Sequence, residues 1–403
     1  MKTWLRSALT RTPQTQTAHA GTAQTKSAPA NSQLVALQLA GQARWTPSGY
    51  SAMSREGYQR NAVAYRCMRM ITEAAASVPL CVRRDGHCIE EDPAQRLLDK
   101  PNPKHARAEF FEAYYGYLLL SGNAYLEAVL VDGTSPSALF NLRPDRMKAR
   151  LGTDGWPLGW EYNAAGKVRR FANDPLTGQS LVHHMRQFHP SDDIYGFSPM
   201  EAAAKAVDVH NAGSVWNKAL LDNSARPSGA LVYSGKAGED RLTDEQFDRL
   251  KTELETNHAG ARAAGRPLLL EGGLDWKAMS MSPSDMDFIN ARREAAREIA
   301  LAFGVPPMLL GIPGDNTYAN YKEANLAFWR QTILPLVRKT GDSIGNWLGA
   351  WFGDDLRIVP DIDDIPALAG ERAQVWSQLQ SADFMNADEK RKIAGLPILE
   401  QST

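Results

Sequence analysis

The chain has 403 residues, enough to bury a sizeable core in two or three lobes. Its 45 Lys+Arg against 46 Asp+Glu leave a net charge of −1, which excludes stoichiometric wrapping of nucleic acid but not passage of a polymer that is never gripped. No stretch reaches the ~18 apolar residues of a membrane span, and an odd count of three cysteines predicts a reducing compartment with every thiol free.

Residues 1–44 carry Lys2, Arg6, Arg11, Lys26 and Arg44 with no acid, among Ser, Thr, Gln and Ala, and read as a disordered basic arm. From about 55 to 190 the pattern is mixed α/β. A helix is predicted over 60–77, with Val63, Cys67, Met70/Ile71 and Ala74 on one stripe. A hairpin at 80–91 turns on Asp85-Gly86. There Cys88 opposes Arg83 and Cys81 opposes Glu90, so the two sulfurs share a face only diagonally and are expected not to bridge. A short helix near 93–99 and a helix at 107–121 follow. The rings of Phe110, Phe111, Tyr114, Tyr115 and Tyr117 on the latter have helical spacing and read as core. Gly122-Asn123 stops it, and strands are predicted at Ala124–Val131, Ala138–Leu142, Gly159–Asn163 and Leu181–Phe188.

Two Ser-Pro helices organise the middle of the chain. Ser198 and Ser282 are N-caps, Pro199 and Pro283 take the first helical position, and Glu201 and Asp285 stand three residues after each cap. Ala202, Ala206, Val209, Gly213, Trp216 and Leu220 form a narrow seam on the first; Phe288, Ala291, Ala295, Ile299 and Ala302 form one on the second. Such seams suit packing on each other or on neighbouring copies. Arg293 and Arg297 share a face of the second helix, with Glu294 one i,i+3 step from Arg297. Gly304 and Pro306-Pro307 end that helix.

The insert between them reads strand–helix–strand. Ser228–Ser234 is a strand, Thr243–Gln246 a capping box, Phe247, Leu250 and Leu254 the apolar face of the helix it opens, and Pro267–Leu270 and Leu274–Met279 strands around Gly272-Gly273. A Gly/Pro-rich loop spans Val305–Ala319. Asn320 and Glu323 are then expected to cap a long helix through Trp347, kinked at Pro335. Residues 353–368 read as an acidic extended linker, and 370–394 as two short helices joined near Asp383–Asn386.

Catalytic signatures are sparse. Ser234-Gly235-Lys236-Ala237 lacks the upstream Gly and the Ser or Thr of a phosphate loop. His183, His184 and His189 can place at most two imidazoles on one strand face, and Asp361, Asp363 and Asp364 lack the Gly turn of a calcium loop. No nucleophile elbow or dinucleotide fingerprint occurs, so no catalytic residue, metal or cofactor is expected.

Several stretches together resemble the portal proteins of tailed bacteriophages, in the form used by long-tailed phages and phage-derived gene transfer agents. These are Tyr195-Gly196-Phe197-Ser198-Pro199, Asn223–Gly229, Gly265–Gly273, Arg297–Pro307, Thr317–Asn320 and Asn325–Arg330. The resemblance implies a mixed α/β portal fold, in a ring of twelve subunits at one vertex of a phage-like head. Its parts would be an N-terminal arm (1–44), a wing (45–197), stem helices (198–226 and 282–304), a clip (227–281), a tunnel loop (305–319), a long wing helix (320–352), and an acidic linker with a short crown (353–403). It implies a channel for double-stranded DNA whose tunnel loop includes Asp315, Asn316, Thr317, Tyr318 and Asn320. The implied partners are the terminase large subunit, the major capsid protein and a head–tail connector; assembly would occur in the bacterial cytoplasm. The alternatives are a metal-dependent nuclease or phosphoesterase using the His and Asp clusters, and a monomeric DNA-binding scaffold.

Overall fold

The computed structural model describes residues 45–84, 87–131, 133–222, 229–233, 243, 245–246, 248–250, 252, 274–278, 288–312, 318–363 and 365–394. The basic arm and the Asp85-Gly86 turn lie outside these residues. So do Ser282-Pro283, the 267–270 strand and the Ser234–Ala237 stretch.

Tyr50–Met53 is a helical turn that runs into a π-helical segment, Ser54–Gln59, which the sequence pattern did not announce. Asn61 then caps helix α1 (Ala62–Ser77), its Oδ1 accepting from the Val63 and Ala64 amides at 3.0 Å. Strands β1 (Leu80–Arg84) and β2 (His87–Cys88) form the hairpin, and α2 (Pro93–Asp99) follows with Asp92 as its cap. Helix α3 (Arg107–Ser121) buries Phe110, Phe111, Tyr114 and Tyr115, as the spacing of its rings requires.

Two small antiparallel sheets come next. Strands β3 (Asn123–Leu130), β4 (Pro136–Leu142) and β8 (Val182–Arg186) form one, in the order β4-β3-β8; β5 (Met147–Leu151), β6 (Pro157–Ala164) and β7 (Lys167–Ala172) form the other. Strands β5 and β7 were missed in the sequence. Their exposed faces are charged, so the alternation that marks a strand is weak.

Beyond the sheets lie a turn at Pro199–Ala202, α4 (Ala204–Asp222), and the ribbon of β9 (Gly229–Tyr233) and β10 (Leu274–Ala278), which pairs Gly229 with Ala278. Then come α5 (Phe288–Phe303), a 3-10 turn (Pro307–Leu310), α6 (Tyr318–Phe328) and α7 (Leu334–Phe352). A π segment, Trp329–Ile333, joins α6 to α7. Pro335 therefore does not simply bend a regular helix. Its missing donor and its ring are accommodated just after a widened turn.

Residues 353–368 are not only a linker. Arg357–Pro360 forms β11 and completes a three-stranded sheet, pairing Val82 with Ile358 in the order β11-β1-β2. It lies along α7 because Gly341 and Gly345 clear a path. A Cβ on Gly341 would overlap the Ile358 carbonyl oxygen and stand 3.2 Å from its carbon. Helices α8 (Ala369–Ser381) and α9 (Ala387–Ile393) follow.

One core joins Ile71 of α1, Tyr114 and Leu118 of α3, Leu126 of β3, Ile299 of α5, Val337, Ile344 and Leu348 of α7, and Ile358 of β11. Fully burying each such side chain contributes about 1.5–3 kcal/mol. A second, smaller core holds Tyr125, Leu142, Met147, Trp160, Phe171 and Val182 between the two sheets.

The expectation of three free thiols is overturned. Cys81 and Cys88 form a disulfide, and among the described cysteines only Cys67, buried on α1, is free. Arg83 pairs with Cys88 as the hairpin register predicts, so the two cysteines are indeed diagonal. The regular ladder ends at His87–Cys88, however, and the Cα atoms come within 5.8 Å, inside the bridging range.

Candidate functional site

The helices α4 and α5 run to and from the β9–β10 ribbon and pack on each other. Their entry is built as the Ser-Pro signature requires: the Ser198 Oγ, buried, accepts from the Glu201 amide at 2.9 Å. The chain then breaks at Ala203 before α4 begins. Of the first seam, Ala206 and Gly213 are buried, whereas Ala202, Val209 and Trp216, seven residues apart in turn, are exposed. Ala203 and Val207 complete the buried face. On α5, Ala295 and Ile299 are buried with Ala296 and Ala300, and Leu301 is 79% exposed. A Cβ on Gly213 would meet the Arg292 Cβ at an ordinary 3.8 Å, so close approach does not require glycine there.

The base of the helix pair is pinned by polar side chains that the sequence reading missed. Asn61 Nδ2 donates to Asn211 Oδ1 at 3.0 Å and lies 3.2 Å from His210 Nδ1. Asn211 Nδ2 donates to the Glu56 carbonyl at 3.0 Å, and Asp208 accepts from the Thr46 amide at 2.7 Å. Arg292 Nε donates to the other ring nitrogen, His210 Nε2, at 3.4 Å. Burial, then Arg292, hold the His210 pKa below its ordinary value.

On the outer side of α5, Arg297 Nη1 donates to Glu294 Oε1 at 2.5 Å, and Arg293 is exposed. Past α5 the Val305 amide returns to the Ala300 carbonyl at 2.9 Å, and Thr332 Oγ1 donates to the Gly304 carbonyl at 2.6 Å. The start of the loop is thereby tied to α5 and to the π segment. Asp315, Asn316 and Thr317 lie outside the described residues. The helix begins at Tyr318, so Asn320 is inside the first turn of α6 rather than capping it, a correction to the expected boundary. In the insert, Thr243 and Gln246 exchange the two bonds of a capping box, at 3.1 and 3.3 Å. Leu250 is half-buried; Phe247 and Leu254 lie outside the described residues.

The Tyr195–Ser198 stretch joins the sheets to this helix pair. Asn123 Oδ1 accepts from the Gly196 amide at 2.8 Å and contacts His184 Nε2 at 2.9 Å. Asp192 Oδ1 accepts from the Ile194 and Tyr195 amides at 2.7 and 2.9 Å, which lowers its pKa. Tyr195 Oη accepts from the Ala149 amide at 2.9 Å.

The three histidines do not converge. His183 is buried with Nε2 2.8 Å from Ser343 Oγ, and burial drops its pKa to about 4. His184 is stacked on Tyr125 at 4.4 Å between ring centroids, with a pKa pushed down to about 3 chiefly by burial. His189 Nδ1 accepts from the Ser191 amide. Asp363 pairs with Arg372, and Asp364 lies outside the described residues. Among the described residues no group of three or more His, Cys, Asp or Glu could hold a metal, and no helix is long and apolar enough to cross a membrane. The nuclease alternative finds no support in this geometry.

Comparison with known proteins gives concordant results. The family model described as "Phage portal protein" matches residues 62–395. The portal protein of Enterobacteria phage HK97 is 27% identical over 315 residues, covering 74% of this chain and 70% of that one. A structure described as the neck of an empty GTA particle computed with C6 symmetry aligns with a TM-score of 0.70 and 51% identity, over 89% of this chain and 96% of the other. The neck of a native GTA particle computed with C12 symmetry gives 0.68 and 50% over the same shares.

Proposed function

The chain belongs to the phage portal protein family, and from that premise we infer that it works as one subunit of a closed ring through which double-stranded DNA enters and leaves a phage-like head. The observation that carries this is the 51% identity over 89% of the chain with the neck structure. The role is structural, at the junction of head and tail in the particle.

In this reading the ring has twelve copies, as the C12 neck structure suggests. A ring closes only through a heterologous contact whose rotation divides the circle. The exposed Val209, Trp216 and Leu301 on α4 and α5 offer the apolar surface for it. The helix pair is the stem. Arg293, Arg297 and Glu294 on α5 supply either inter-subunit ion pairs or a lumen-facing charge. The insert 227–281 is the clip, docking the terminase large subunit during packaging and a head–tail connector afterwards. Residues 45–197 and 320–352 are the wing, facing the major capsid protein, and 353–403 end in a short crown. The loop 305–319 narrows the channel, with Asp315, Asn316, Thr317, Tyr318 and Asn320 touching the passing duplex. Near-neutral net charge suits a conduit, because every neutralised phosphate adds counterion-release energy that would hold the DNA in place. A separate ATPase drives translocation, and assembly takes place in the bacterial cytoplasm.

Negative-stain imaging of the purified protein, alone and with its head proteins, tests the reading. Annular particles with a central hole are expected; single subunits under both conditions would overturn it. For the loop, deletion of residues 313–318 should impair packaging or retention of DNA, and unchanged packaging would remove it from the channel.

A further inference from the structure

Charge is distributed unevenly along the chain. Residues 143–172 carry seven Lys and Arg against three Asp and Glu, a local +4 in a protein whose net is −1. Much of that excess lies on the β5-β6-β7 sheet. The inner face, with Met147, Ala149, Trp160, Tyr162 and Phe171, packs on the second core. The outer face is set by register: Lys148 pairs with Glu161, which pairs with Arg170, and Arg150 pairs with Gly159, which pairs with Ala172. Lys148, Arg150 and Arg170 are all exposed.

A single carboxylate stands among these three cations. Glu161 Oε1 lies 2.9 Å from Arg170 Nε and 3.9 Å from Arg150 Nε, which leaves an excess of two positive charges. Lys148 and Arg150, two residues apart on one strand, are separated by roughly 6.7 Å, and β5 and β7 by roughly 9.6 Å across the sheet. The other outer residues of the paired stretch are Gly159, Asn163, Ala172 and the exposed Val168, and Leu151, Trp156 and Leu158 are exposed at the β5–β6 end of the sheet. The excess of positive charge on the paired rows complements a repeating polyanion.

We propose that the outer face of this sheet is a sequence-independent binding surface for the phosphate backbone of duplex DNA, separate from the channel, with Lys148, Arg150 and Arg170 as its contacts. It goes beyond the ring reading, taking from it only the nature of the nucleic acid. Contacts of this kind position DNA without reading sequence, and their strength falls with salt as counterions compete. Glu161 tempers the site, so its removal should strengthen binding.

The test uses the full-length assembled protein and a fluorescein-labelled mixed-sequence DNA duplex, followed by polarisation between 50 and 200 mM salt. In K148Q/R150Q/R170Q the slope of log K against log salt should shrink by about 2–3, the loss expected for three phosphate contacts. Affinity at the lowest salt should fall at least about tenfold. E161Q should bind several-fold tighter, a gain that misfolding cannot produce. An unchanged slope in the triple variant, or no gain in E161Q, overturns the proposal. Loss of incorporation into shells with DNA binding unchanged would assign the face to an acidic protein instead, and overturn it too. Imaging the same samples separates these results from failure of the ring, since annular particles would persist.

Discussion

Gly122 and Gly196 meet backbone to backbone. A Cβ on Gly122 would stand 2.5 Å from the Gly196 carbonyl carbon and oxygen, and a Cβ on Gly196 would overlap the Gly122 carbonyl oxygen. Gly122 also closes α3 in the left-handed region, φ +72°, where its amide returns to the Leu118 carbonyl at 2.9 Å. The end of α3 and the entry to the helix pair are therefore one joint, cemented by Asn123. Gly196→Ala should destabilise the protein by about 2–4 kcal/mol, because backbone rather than a mobile side chain must yield. Gly49→Ala, whose Cβ would meet nothing within 4 Å, is the control and should be near neutral. Urea unfolding of both compares them; equal midpoints would dissolve the joint.

Gly341→Ala should cost a similar ~2–4 kcal/mol by lifting β11 off α7. Gly349→Ala, with only a 4.0 Å contact to Asp354 Cα, should be neutral or mildly stabilising through helix propensity. Hydrogen exchange at Ile358 localises the effect, since loss of protection there should exceed that at Leu126. Uniform protection in G341A would mean that β11 does not depend on this approach.

The same two glycine pairs mark where sequence reading stopped. Helices at 93–99 and 107–121 were legible because apolar spacing, and for the second the Gly122 stop, are local signals. Strand β11 was not: Arg357–Pro360 is four residues in an acidic run, and its pairing with Leu80–Arg83 is fixed by a glycine stripe on another element. Arg84 adds to that closure, reaching Asp92 at 2.7 Å, Asp355 at 2.6 Å and the Phe352 carbonyl at 2.7 Å. At the helix pair, the seams were readable as small residues, but periodicity alone did not separate Ala206, which is buried, from Ala202, which is exposed. Asn61 and Asn211 were invisible for the opposite reason, since a capping or bridging Asn has no pattern until its partner is placed.

Acid should loosen the sheet side of the molecule before it protonates most carboxylates. His183 and His184 are buried and neutral, with folded pKa values of about 4 and about 3 against an unfolded value near 6.5. Below pH 6.5 the unfolded chain binds the extra protons, so stability is complete above that value and falls as pH drops toward 4. Thermal unfolding between pH 7 and pH 5 should show a declining Tm, and His183→Gln should flatten the decline. An identical slope in the variant would place the acid sensitivity elsewhere, with His210 the next group to test.

Thiol chemistry checks the hairpin. Under non-reducing denaturation, alkylation should label one cysteine, Cys67, and three after reduction. Closing so short a loop stabilises by at most about 2–3 kcal/mol on the chain-entropy account, so Cys88→Ser should lower stability by no more than that. Three labelled cysteines before reduction would mean that the hairpin closes without the bond.

The last expectation concerns the faces that a lone subunit leaves uncovered. Val209 is 41% exposed on α4 and Leu301 79% exposed on α5, while Ala206 and Ile299 on the same helices are buried between them. Substituting the buried residues should unfold the helix pair; substituting the exposed ones should leave the subunit intact and act only where copies meet. Val209→Ser with Leu301→Ser removes apolar surface at a cost of about 1–2 kcal/mol per contact, and a ring repeats that loss at every interface. Assembly should therefore fail or need far higher protein concentration, while the thermal transition of the dissociated subunit stays within a degree or two of the parent. Size-exclusion light scattering reads the first and calorimetry the second. If V209S/L301S closes rings as readily as the parent, the contact between copies runs through the charged face of Arg293, Glu294 and Arg297 instead, and raising the salt should then be what opens the ring.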